Sequence, residues 1–292
     1  MRTAEPVSTT ASAEPRVGDV RVALRRSSAA LAATTDAPRL EAELLLAHVL
    51  RAPRTALLAY PERTLAPDDL ADYDKLVEWR AAGQPLPYLV GHIEFYGLRI
   101  EVTPEVLIPR PETEVLVDLA IERRPGTVVD VGTGSGCISV ALAVNLPMVE
   151  VTAVDISSAA LAVARRNLER HGVGERVRLV TGDVLSPRPG PVDLIVSNPP
   201  YVAAGERSSL PLSVREYEPW LALDGGAGGL DVLRRLLAQA AAVLKLGGAL
   251  LVEIGSEQGE AARALAGISF PEAVVRTHPD LAGRDRVLEV QT

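Results

Sequence analysis

Apolar side chains in the first third of the chain recur at the spacing of helices. Between residues 17 and 83 they repeat every three or four positions in four successive segments, of which PRLEAELLLAHVL, beginning at Pro38, is the most regular. Pro38 and Pro67 suit the first turn of a helix, and Asp36 is an expected N-cap. The stripe expected to face the core consists of Leu40, Leu44, Leu45 and Val49. These segments predict a small helical bundle, which is either a folding scaffold or a module that recognises a partner.

Beyond residue 110 the pattern changes to alternating strands and helices. Five short apolar runs, TVVDV, VEVTAVD, VRLVTGD, PVDLIVS and GALLVEIG, predict strands, and most of the segments between them have helical spacing. The helix before the last of these runs is expected to extend to Lys245, and a further helix and terminal strands follow. Such alternation predicts a Rossmann-like α/β domain of class I with a doubly wound, mostly parallel sheet. Ligands in this architecture bind at the carboxyl ends of the strands.

Changes in composition divide the chain into four parts. Residues 1–15 are rich in Ala, Ser, Thr, Glu and Pro and are expected to be a disordered tail. Residues 16–88 carry the helical pattern, and residues 89–110 alternate apolar and polar side chains around Gly97, which predicts a β-hairpin linker. Residues 111–292 carry the α/β pattern. We therefore expect two domains joined by the hairpin.

Composition and charge restrict the chemistry that the chain can perform. It has one cysteine, Cys137, and four scattered histidines, so we expect neither a disulfide nor a metal site. Its net charge is −8, whereas proteins that hold nucleic acid usually present a basic face, so nucleic acid is not the expected partner. The sequence contains no apolar run long enough to span a membrane and no secretory signal, so we expect a cytoplasmic protein without a membrane partner.

The first strand of the α/β domain leads directly into a glycine-rich loop. After Asp130 and Val131 the chain continues as GTGSG, which permits positive φ angles and close approach of a ligand to the backbone. A dinucleotide-binding loop has its third glycine one position later, where Cys137 stands. The loop therefore fits a nucleoside better than a pyrophosphate, and Cys137 is expected to pack rather than react. The residues expected to bind the cofactor in this loop are Gly132, Thr133, Gly134, Ser135 and Gly136.

Acidic residues also follow the second and third strands of the domain. Asp155 ends VEVTAVD, where its carboxylate can accept hydrogen bonds from both hydroxyls of a ribose. Asp183 and Val184 follow the third strand and are expected to lie beside an adenine edge. S-adenosylmethionine satisfies these requirements, so it is the expected cofactor, with S-adenosylhomocysteine as its product. The alternative for Asp155 is a helix cap, a role that Ser157 or Ser158 could fill instead.

The fourth strand, PVDLIVS, ends in a turn suited to a planar nitrogen. The Asn198 side-chain oxygen and the Pro199 carbonyl can each accept one N–H of an acceptor nitrogen, and Tyr201 offers a flat face to it. A glutamine amide and an exocyclic amino group of adenine or cytosine both fit, and a rigid turn without catalytic role is the remaining alternative. Asn198 is also expected to contact the cofactor. The expected catalytic and substrate-binding residues are Asn198, Pro199, Pro200 and Tyr201.

Several longer segments make the chain resemble a known family over residues 17–292. They are PRLEAELLLAHVL, QPLPYLVGHIEFYGL, LIPRPETE, DVGTGSG, SNPPY, YEPWLALDGG and LAGRDRV. The chain resembles the release-factor glutamine methyltransferases, also called HemK or PrmC proteins. This resemblance implies methylation of the side-chain amide nitrogen (N5) of the glutamine in the Gly-Gly-Gln motif of class 1 peptide chain release factors. It also implies that residues 16–88 and the hairpin help to hold that partner, and we expect the enzyme to be a monomer.

Some features of the sequence leave alternatives open. Val184 occupies a position that is often aromatic in the family, so the resemblance does not support stacking on adenine there. Arg110 and Glu114 of LIPRPETE either lie over the cofactor or belong to an interdomain linker tied by an ion pair. Residues 225–229 either form a mobile loop beside the site or connect a strand to a helix, and connection is favoured. The competing functions are methylation of a glutamine in a large-subunit ribosomal protein, methylation of DNA or RNA amino groups at the same turn, and cofactor binding without catalysis.

Overall fold

The structure, a computed structural model, describes residues 18–186 and 190–292. The chain divides into two compact units between Val90 and Gly91. The tail expected at residues 1–15 lies outside the described residues. Within the described ranges, none of the helices has the length and apolar character needed to cross a membrane.

Helices make up the described part of the N-terminal unit. They are α1 (Val20–Leu31), α2 (Pro38–Val49), α3 (Arg54–Ala59), α4 (Pro67–Ala81) and α5 (Leu86–Val90). α1 begins where the Asp19 carboxylate accepts a hydrogen bond from the Val22 amide at 2.8 Å, as a side-chain cap does. Leu45 and Tyr73 are fully buried in the core, and the Tyr73 hydroxyl donates to the Ala42 carbonyl (3.1 Å). The apolar faces of the helices thus enclose a small core of their own.

Helix α2 buries a different stripe from the predicted one. Leu45 and Leu46 are fully buried, but Leu40 and Leu44 are 40% and 37% exposed, so placing these two in the buried stripe was wrong. The segment has leucines on two adjoining faces. The face that packs inward is the one that carries the small, fully buried Ala42, because a small side chain lets a neighbouring helix approach closely.

The start of α2 also differs from the prediction in its cap. Both helix-initial prolines lie in the first turn, as predicted. Ala37 rather than Asp36 is the N-cap residue, and no side chain caps the helix from that position, so the predicted cap was wrong. The Thr35 hydroxyl instead accepts a hydrogen bond from the Ala37 amide (3.2 Å) and donates to Glu41 (2.8 Å). This contact places the polar anchor one residue before the predicted one.

The C-terminal unit begins with a hairpin and continues as the α/β domain. β1 (His92–Phe95) and β2 (Leu98–Glu101) pair antiparallel through a turn in which Tyr96 and Gly97 have φ angles of 53° and 69°. The strands that follow are β3 (Thr127–Val131), β4 (Glu150–Asp155), β5 (Val177–Thr181), β6 (Val192–Ser197), β7 (Leu244–Glu253), β8 (Val274–Pro279) and β9 (Asp285–Gln291). The helices are α6 (Thr113–Glu122), α7 (Cys137–Asn145), α8 (Ser158–Arg170), α9 (Leu212–Tyr217), α10 (Asp231–Ala240) and α11 (Gly259–Ser269). Two short 3₁₀ helices, Ala204–Ser209 and Trp220–Ala222, flank α9.

Strands β3 to β9 form one sheet in the order β5-β4-β3-β6-β7-β9-β8. β3 to β7 pair in parallel, and β9 pairs antiparallel with β7 and β8. The chain starts at β3, adds β4 and β5 on one side, and then returns to add β6 and β7 on the other, which confirms a doubly wound, mostly parallel sheet. The direction of strand addition reverses between β3 and β6. Ligands of such sheets bind in the crevice at the carboxyl ends of these two strands.

Strand β7 begins earlier than the sequence pattern predicted. Helix α10 ends at Ala240 and β7 starts at Leu244, so extending the helix to Lys245 was wrong. The register of β7 against β6 shifts after Leu244, at a bulge that includes Gly247 and Gly248. Because glycines carry no side chain, they interrupt the alternation that would otherwise have indicated a strand in this segment.

One buried acid at the antiparallel edge of the sheet is surrounded by arginine and histidine side chains. Glu289 of β9 is 2% exposed and accepts hydrogen bonds from Arg276 and His278 of β8 and from Arg123 after α6. Burial of Glu289 opposes its ionisation, but these donors outweigh burial and lower the pKa of Glu289 to about 2. The carboxylate therefore links α6 to the edge of the sheet.

Replacing Glu289 by Gln removes the charge and keeps the shape of the side chain. We expect Glu289→Gln to lower the free energy of unfolding by about 1–3 kcal/mol at neutral pH, because hydrogen bonds to a charged group are lost. The folded-state pKa is depressed, so this contribution is present above the ordinary value of 4.5 and is lost as the pH falls towards about 2.

Urea unfolding of both proteins at neutral pH and at about pH 3 measures this difference. The matched control is Glu272→Gln, on the exposed turn before β8, which should change stability little at either pH. A destabilisation by Glu289→Gln that stays constant between the two pH values would contradict the assignment.

Candidate functional site

The glycine-rich loop joins β3 to α7 at the carboxyl edge of the sheet. Gly132, Gly134 and Gly136 have φ angles of 73°, 55° and 79°, a region that residues with a Cβ rarely adopt. A Cβ on Gly136 would lie 3.1 Å from that of Ala164 in α8, so the loop packs directly on this helix. The Gly132 amide also donates to the Val154 carbonyl of β4 (2.8 Å). The loop is therefore held in one conformation with its backbone open to a close ligand.

Asp130, the residue before the last one of β3, is fully buried beneath this loop. The hydroxyls of Thr133 and Ser139 both donate to its Oδ2 atom, at 2.7 and 2.6 Å. Its Oδ1 atom is buried and has no hydrogen-bond partner in the described part of the chain. Burial raises the pKa of Asp130 to about 6, against the lowering effect of the two hydroxyls. Ser135 contributes differently, because its carbonyl accepts a hydrogen bond from Asn167 of α8 (2.8 Å) and fixes the loop.

Asp155, at the end of β4, is tied to the glycine-rich loop. Its Oδ2 atom accepts a hydrogen bond from the Gly134 amide (2.8 Å), and its Oδ1 atom accepts one from the Ser157 amide (2.9 Å). The cap of α8 is Ser157, whose hydroxyl accepts from the Ala160 amide (3.1 Å), so α8 has a cap other than Asp155. Burial raises the pKa of Asp155. The next residue, Ile156, is 53% exposed and offers an apolar surface beside the carboxylate.

Asp183 and Val184 follow the neighbouring strand β5. The Gly182 amide donates to the Asp155 carbonyl (2.9 Å), which places the start of this segment beside Asp155. The Asp183 carboxylate pairs with Arg235 of α10 (2.6 Å) at the protein surface. Val184 has a φ of 53° and its side chain is buried in the apolar core. A ligand at this edge could therefore contact the backbone of Val184 but not its side chain.

The turn from Asn198 to Tyr201 leaves β6 beside the glycine-rich loop. Ser197, the last residue of β6, is paired with Val131 of β3, and its hydroxyl donates to the Val131 carbonyl (2.8 Å). A Cβ built on Gly132 would lie 4.0 Å from the Asn198 carbonyl oxygen. The structure thus brings together the two segments that the sequence assigned to the cofactor and to the acceptor.

In the Asn198 side chain the nitrogen makes a hydrogen bond to the protein, whereas the oxygen is left as an acceptor. The Nδ2 atom donates to the Thr113 hydroxyl at the start of α6 (3.1 Å). The Oδ1 atom is buried and has no hydrogen-bond partner in the described residues. A buried acceptor without a donor is costly unless a ligand supplies the donor, so Asn198 has an unused acceptor at the site.

Tyr201 packs at the other end of the turn. Its hydroxyl donates to Oε1 of Glu253, the last residue of β7, at 3.5 Å. Its carbonyl accepts a hydrogen bond from the Gln258 side chain (3.0 Å). Burial and the neighbouring Glu253 raise the pKa of Tyr201 to about 12. The tyrosine is therefore a neutral, anchored ring at neutral pH.

The segment 225–229 lies directly against the turn. A Cβ built on Gly229 would lie 2.4 Å from the Tyr201 carbonyl oxygen, and one on Gly225 would lie 2.6 Å from the Gly229 carbonyl oxygen. Only glycine fits these two positions without displacing the backbone. The segment connects the 3₁₀ helix Trp220–Ala222, rather than a strand, to α10, and it lies beside the turn.

The LIPRPETE segment makes contacts within the C-terminal unit. Arg110 donates to Glu218 (2.6 Å), whose carboxylate is buried and also accepts from the Ile108 amide (3.3 Å). Glu114 accepts a hydrogen bond from the Tyr96 amide in the hairpin turn (2.7 Å). Both side chains are thus engaged with protein groups, and Arg110 forms an ion pair as one of the two alternatives expected.

Three buried polar residues at this edge were not among the predicted site residues. Asp130 is the penultimate residue of the apolar strand β3 and Glu253 is the last residue of β7, and an acid at the end of an apolar strand is the signal that identified Asp155. Sequence reasoning could therefore have found them. Thr113 gives no such signal, because its role depends on partners 85 and 140 residues away in the chain.

Comparisons with known proteins agree with this architecture. The family model described as the PrmC N-terminal domain matches residues 22–91, and the one described as the methyltransferase small domain matches residues 111–211. A solved methyltransferase from Pyrococcus furiosus is 21% identical, with a TM-score of 0.52 over 68% of this chain and 90% of that chain. The 16S rRNA N2 G1207 methyltransferase of T. thermophilus is 19% identical, with a TM-score of 0.51 over 69% of this chain and 49% of that chain. These two structures show a shared fold alone.

Curated relatives are similar over most of the chain. The release factor glutamine methyltransferase of Moorella thermoacetica is 48% identical over 254 residues, which are 85% of this chain and 89% of the relative. The release factor glutamine methyltransferase of Cereibacter sphaeroides is 42% identical over 272 residues, which are 92% of this chain and 97% of the relative. At this identity and coverage, the chain belongs to the family of release factor glutamine methyltransferases.

Proposed function

We propose that this enzyme transfers the methyl group of S-adenosylmethionine to the side-chain amide nitrogen (N5) of the glutamine in the Gly-Gly-Gln motif of class 1 release factors. Family membership supports the reaction and the protein substrate. The observation that carries the proposal is the Asn198 Oδ1 atom at the carboxyl end of β6, which is buried and finds no donor among the residues that the structure describes. A primary amide supplies the N–H donor that this oxygen lacks.

The residues at the ends of β3 and β4 fit the methyl donor. S-adenosylmethionine supplies, when bound, an electrophilic methyl group on a positively charged sulfur. Gly132 to Gly136 leave room for a close ligand, and Asp155 keeps lone pairs that suit ribose hydroxyls. The Oδ1 atom of Asp130, which has no partner within residues 18–186 and 190–292, suits a cationic or N–H donor group of the ligand. Asp183 and the Val184 backbone complete this proposed cofactor site.

The Asn198-to-Tyr201 turn would activate a poor nucleophile by position and polarity. The lone pair of an amide nitrogen is delocalised into the carbonyl, so methylation requires the nitrogen to become pyramidal. Asn198 Oδ1 and the Pro199 carbonyl can accept its two N–H bonds, and Pro200 restricts the backbone between them and Tyr201. Oxygen dipoles already in place stabilise the positive charge that develops on nitrogen more than they stabilise the ground state. The product nitrogen is acidic and releases its extra proton to water or to a nearby oxygen.

Tyr201 would orient the plane of the acceptor amide. Its ring is fixed by the hydroxyl contact with Glu253 and by the backbone contact with Gln258. Its raised pKa, about 12, keeps the phenol neutral, so it adds no negative charge beside the nitrogen. We assign it a packing role against the planar group rather than proton transfer.

The charge and the domain organisation of the chain bear on which partner it binds. The net charge of −8 favours a protein acceptor over a nucleic acid, which is the competing substrate for the same turn. We assign the helical N-terminal domain, residues 16–88, and the hairpin linker, residues 89–110, to holding the release factor, and residues 111–292 to catalysis. The enzyme would act as a monomer in the cytoplasm, where release factors work.

The substrate assignment predicts labelling of one glutamine. Purified enzyme with radiolabelled S-adenosylmethionine should label a class 1 release factor, and the label should disappear when the glutamine of its Gly-Gly-Gln motif is changed to alanine. Large-subunit ribosomal proteins and DNA serve as alternative acceptors in parallel reactions. Equal labelling of the glutamine variant, or labelling of DNA alone, would overturn the assignment.

Removing the acceptor oxygen of Asn198 should stop turnover without emptying the cofactor site. We expect Asn198→Ala to lower kcat about 100- to 1000-fold, the usual loss when one oriented group at the reacting centre is removed. Affinity for S-adenosylhomocysteine, measured by calorimetry, should change less than about threefold, since one contact at most is lost. Retained turnover in this variant would rule out the proposed role.

Removing the Asp155 carboxylate should weaken cofactor binding. We expect Asp155→Ala to reduce the binding free energy of S-adenosylhomocysteine by about 1.5–3 kcal/mol, the scale of charge-assisted hydrogen bonds. The matched control is Asp193→Asn at the opposite end of the sheet, where the carboxylate also accepts backbone and side-chain hydrogen bonds. Calorimetry that finds the same affinity for Asp155→Ala and wild type would limit Asp155 to a structural role.

A further inference from the structure

Two buried residues, Glu253 and Thr113, lie beside the acceptor turn and connect to the Asn198 side chain. Glu253 ends β7, the strand next to β6, and is 1% exposed. Thr113 is the first residue of α6 and is also 1% exposed. The Thr113 hydroxyl donates to Glu253 Oε2 at 2.6 Å and lies 3.1 Å from Asn198 Nδ2. The three side chains therefore form a continuous chain of hydrogen bonds that ends at the acceptor oxygen.

The donor and acceptor capacities of these three side chains determine which group donates in each hydrogen bond. An ionised carboxylate can only accept hydrogen bonds, so the single proton of the Thr113 hydroxyl is used by Glu253. The Thr113 oxygen then has only lone pairs left for Asn198, which must place its NH₂ group towards it. The Asn198 oxygen consequently lies on the other side, where it is buried and unpartnered in the described residues.

The direction matters because the two ends of an asparagine amide have nearly the same shape and opposite polarity. A rotated Asn198 would offer an NH₂ group to the NH₂ group of the incoming amide, and two donors cannot pair. Resting on the proposed function, we propose that Glu253 and Thr113 are positioning residues that set the amide orientation of Asn198 and so make the acceptor turn competent for methyl transfer. Glu253 Oε1 also accepts the hydrogen bond from Tyr201, so one carboxylate orients both ends of the turn.

Opposing influences act on the pKa of Glu253. Arg286 of β9 favours the ionised form, whereas Glu112 before α6 opposes it. The Tyr201 hydroxyl donates to this carboxylate, whose charge also contributes to the raised pKa of the Cys137 thiol. Burial dominates and raises the pKa of Glu253 to about 7. Arg286 is itself fixed, because it donates to the Ile254 carbonyl (3.2 Å) and to Asp280 (3.3 Å).

Protonation of Glu253 would remove the fixed order of donors and acceptors in these hydrogen bonds. A neutral carboxyl group can donate to the Thr113 oxygen, which frees the threonine proton to point at Asn198. The amide of Asn198 then gains an alternative orientation. Turnover should therefore be full above the pKa of Glu253 and decline as the pH falls through about 7.

The proposal is tested first by kinetics with the complete enzyme, S-adenosylmethionine and a release factor. We expect Thr113→Val, which keeps the shape and removes the hydroxyl, to lower kcat about 10- to 100-fold, with the KM for S-adenosylmethionine within about threefold of wild type. Thr113→Ser, which restores the hydroxyl, should recover kcat to within about threefold. Glu253→Gln, which can donate as well as accept, should lower kcat about tenfold.

The pH profile separates positioning from a structural effect. In wild type the acid limb should lie near pH 7, the value for Glu253. In Thr113→Val and Glu253→Gln it should move away from this value, because the charge of Glu253 is absent or no longer reaches Asn198. A variant that merely loosened the fold would keep the limb of the wild type. The proposal is overturned if Thr113→Val is as active as wild type, or if it loses activity without rescue by serine and without a moved limb.

A measurement without any substrate keeps this outcome distinct from the proposed function. The chain contains three asparagines, Asn145, Asn167 and Asn198, so selective ¹⁵N labelling gives three side-chain NH₂ signals. The Asn198 signal, identified by its loss in Asn198→Ala, should shift with a midpoint near pH 7 in wild type and lose that transition in Thr113→Val. If this transition occurs but no release factor is methylated, the orientation mechanism stands and the substrate assignment fails. If the signal does not respond to pH in wild type, the proposed orientation of Asn198 by Glu253 and Thr113 is refuted, whatever the substrate.

Discussion

The backbone ladder between β3 and β6 lies in the middle of the sheet, and Val131 and Ser197 are its last pair. The next residue of each strand leaves the sheet at the same edge, so Gly132 and Asn198 emerge side by side. The glycine-rich loop and the acceptor turn thus obtain their relative position from hydrogen bonds in a buried parallel ladder. Every contact proposed for methyl transfer depends on this register, because a shift by one residue would move Asn198 to the other face of the sheet.

Three buried acids in the C-terminal unit differ in how the cost of burying a carboxylate is compensated. Glu289 accepts hydrogen bonds from two arginines and a histidine, and its pKa of about 2 keeps it ionised at neutral pH. Asp130 and Glu253 receive mainly hydroxyl hydrogen bonds, which do not compensate burial fully, and their pKa values rise to about 6 and about 7. The first arrangement stabilises the fold, whereas the other two leave polar capacity for a ligand and for neighbouring side chains.

The sequence predicted those parts of the molecule whose signal is local. The α/β alternation, the glycine loop, Asp155 and the Asn198 turn all lie where contiguous residues indicated them. Helix α2 was recognised, but its inward face was misassigned, because burial there depends on which neighbour approaches rather than on leucine spacing. The contact between Thr113 and Glu253 spans 140 residues, and no pattern within one segment can indicate such a partner. The N-terminal limit of β7 was obscured by glycines at a bulge.

Glycines 225 and 229 give the acceptor turn an unusual vulnerability. A methyl group at Gly229 would collide with the Tyr201 carbonyl oxygen, and one at Gly225 would collide with Gly229 itself. The displaced atoms would belong to the backbone that follows the two prolines, while the apolar core beneath would remain intact. Substitutions at these glycines would therefore give proteins that fold but are inactive. Natural selection would thus act on the shape of a backbone segment that carries no reacting group.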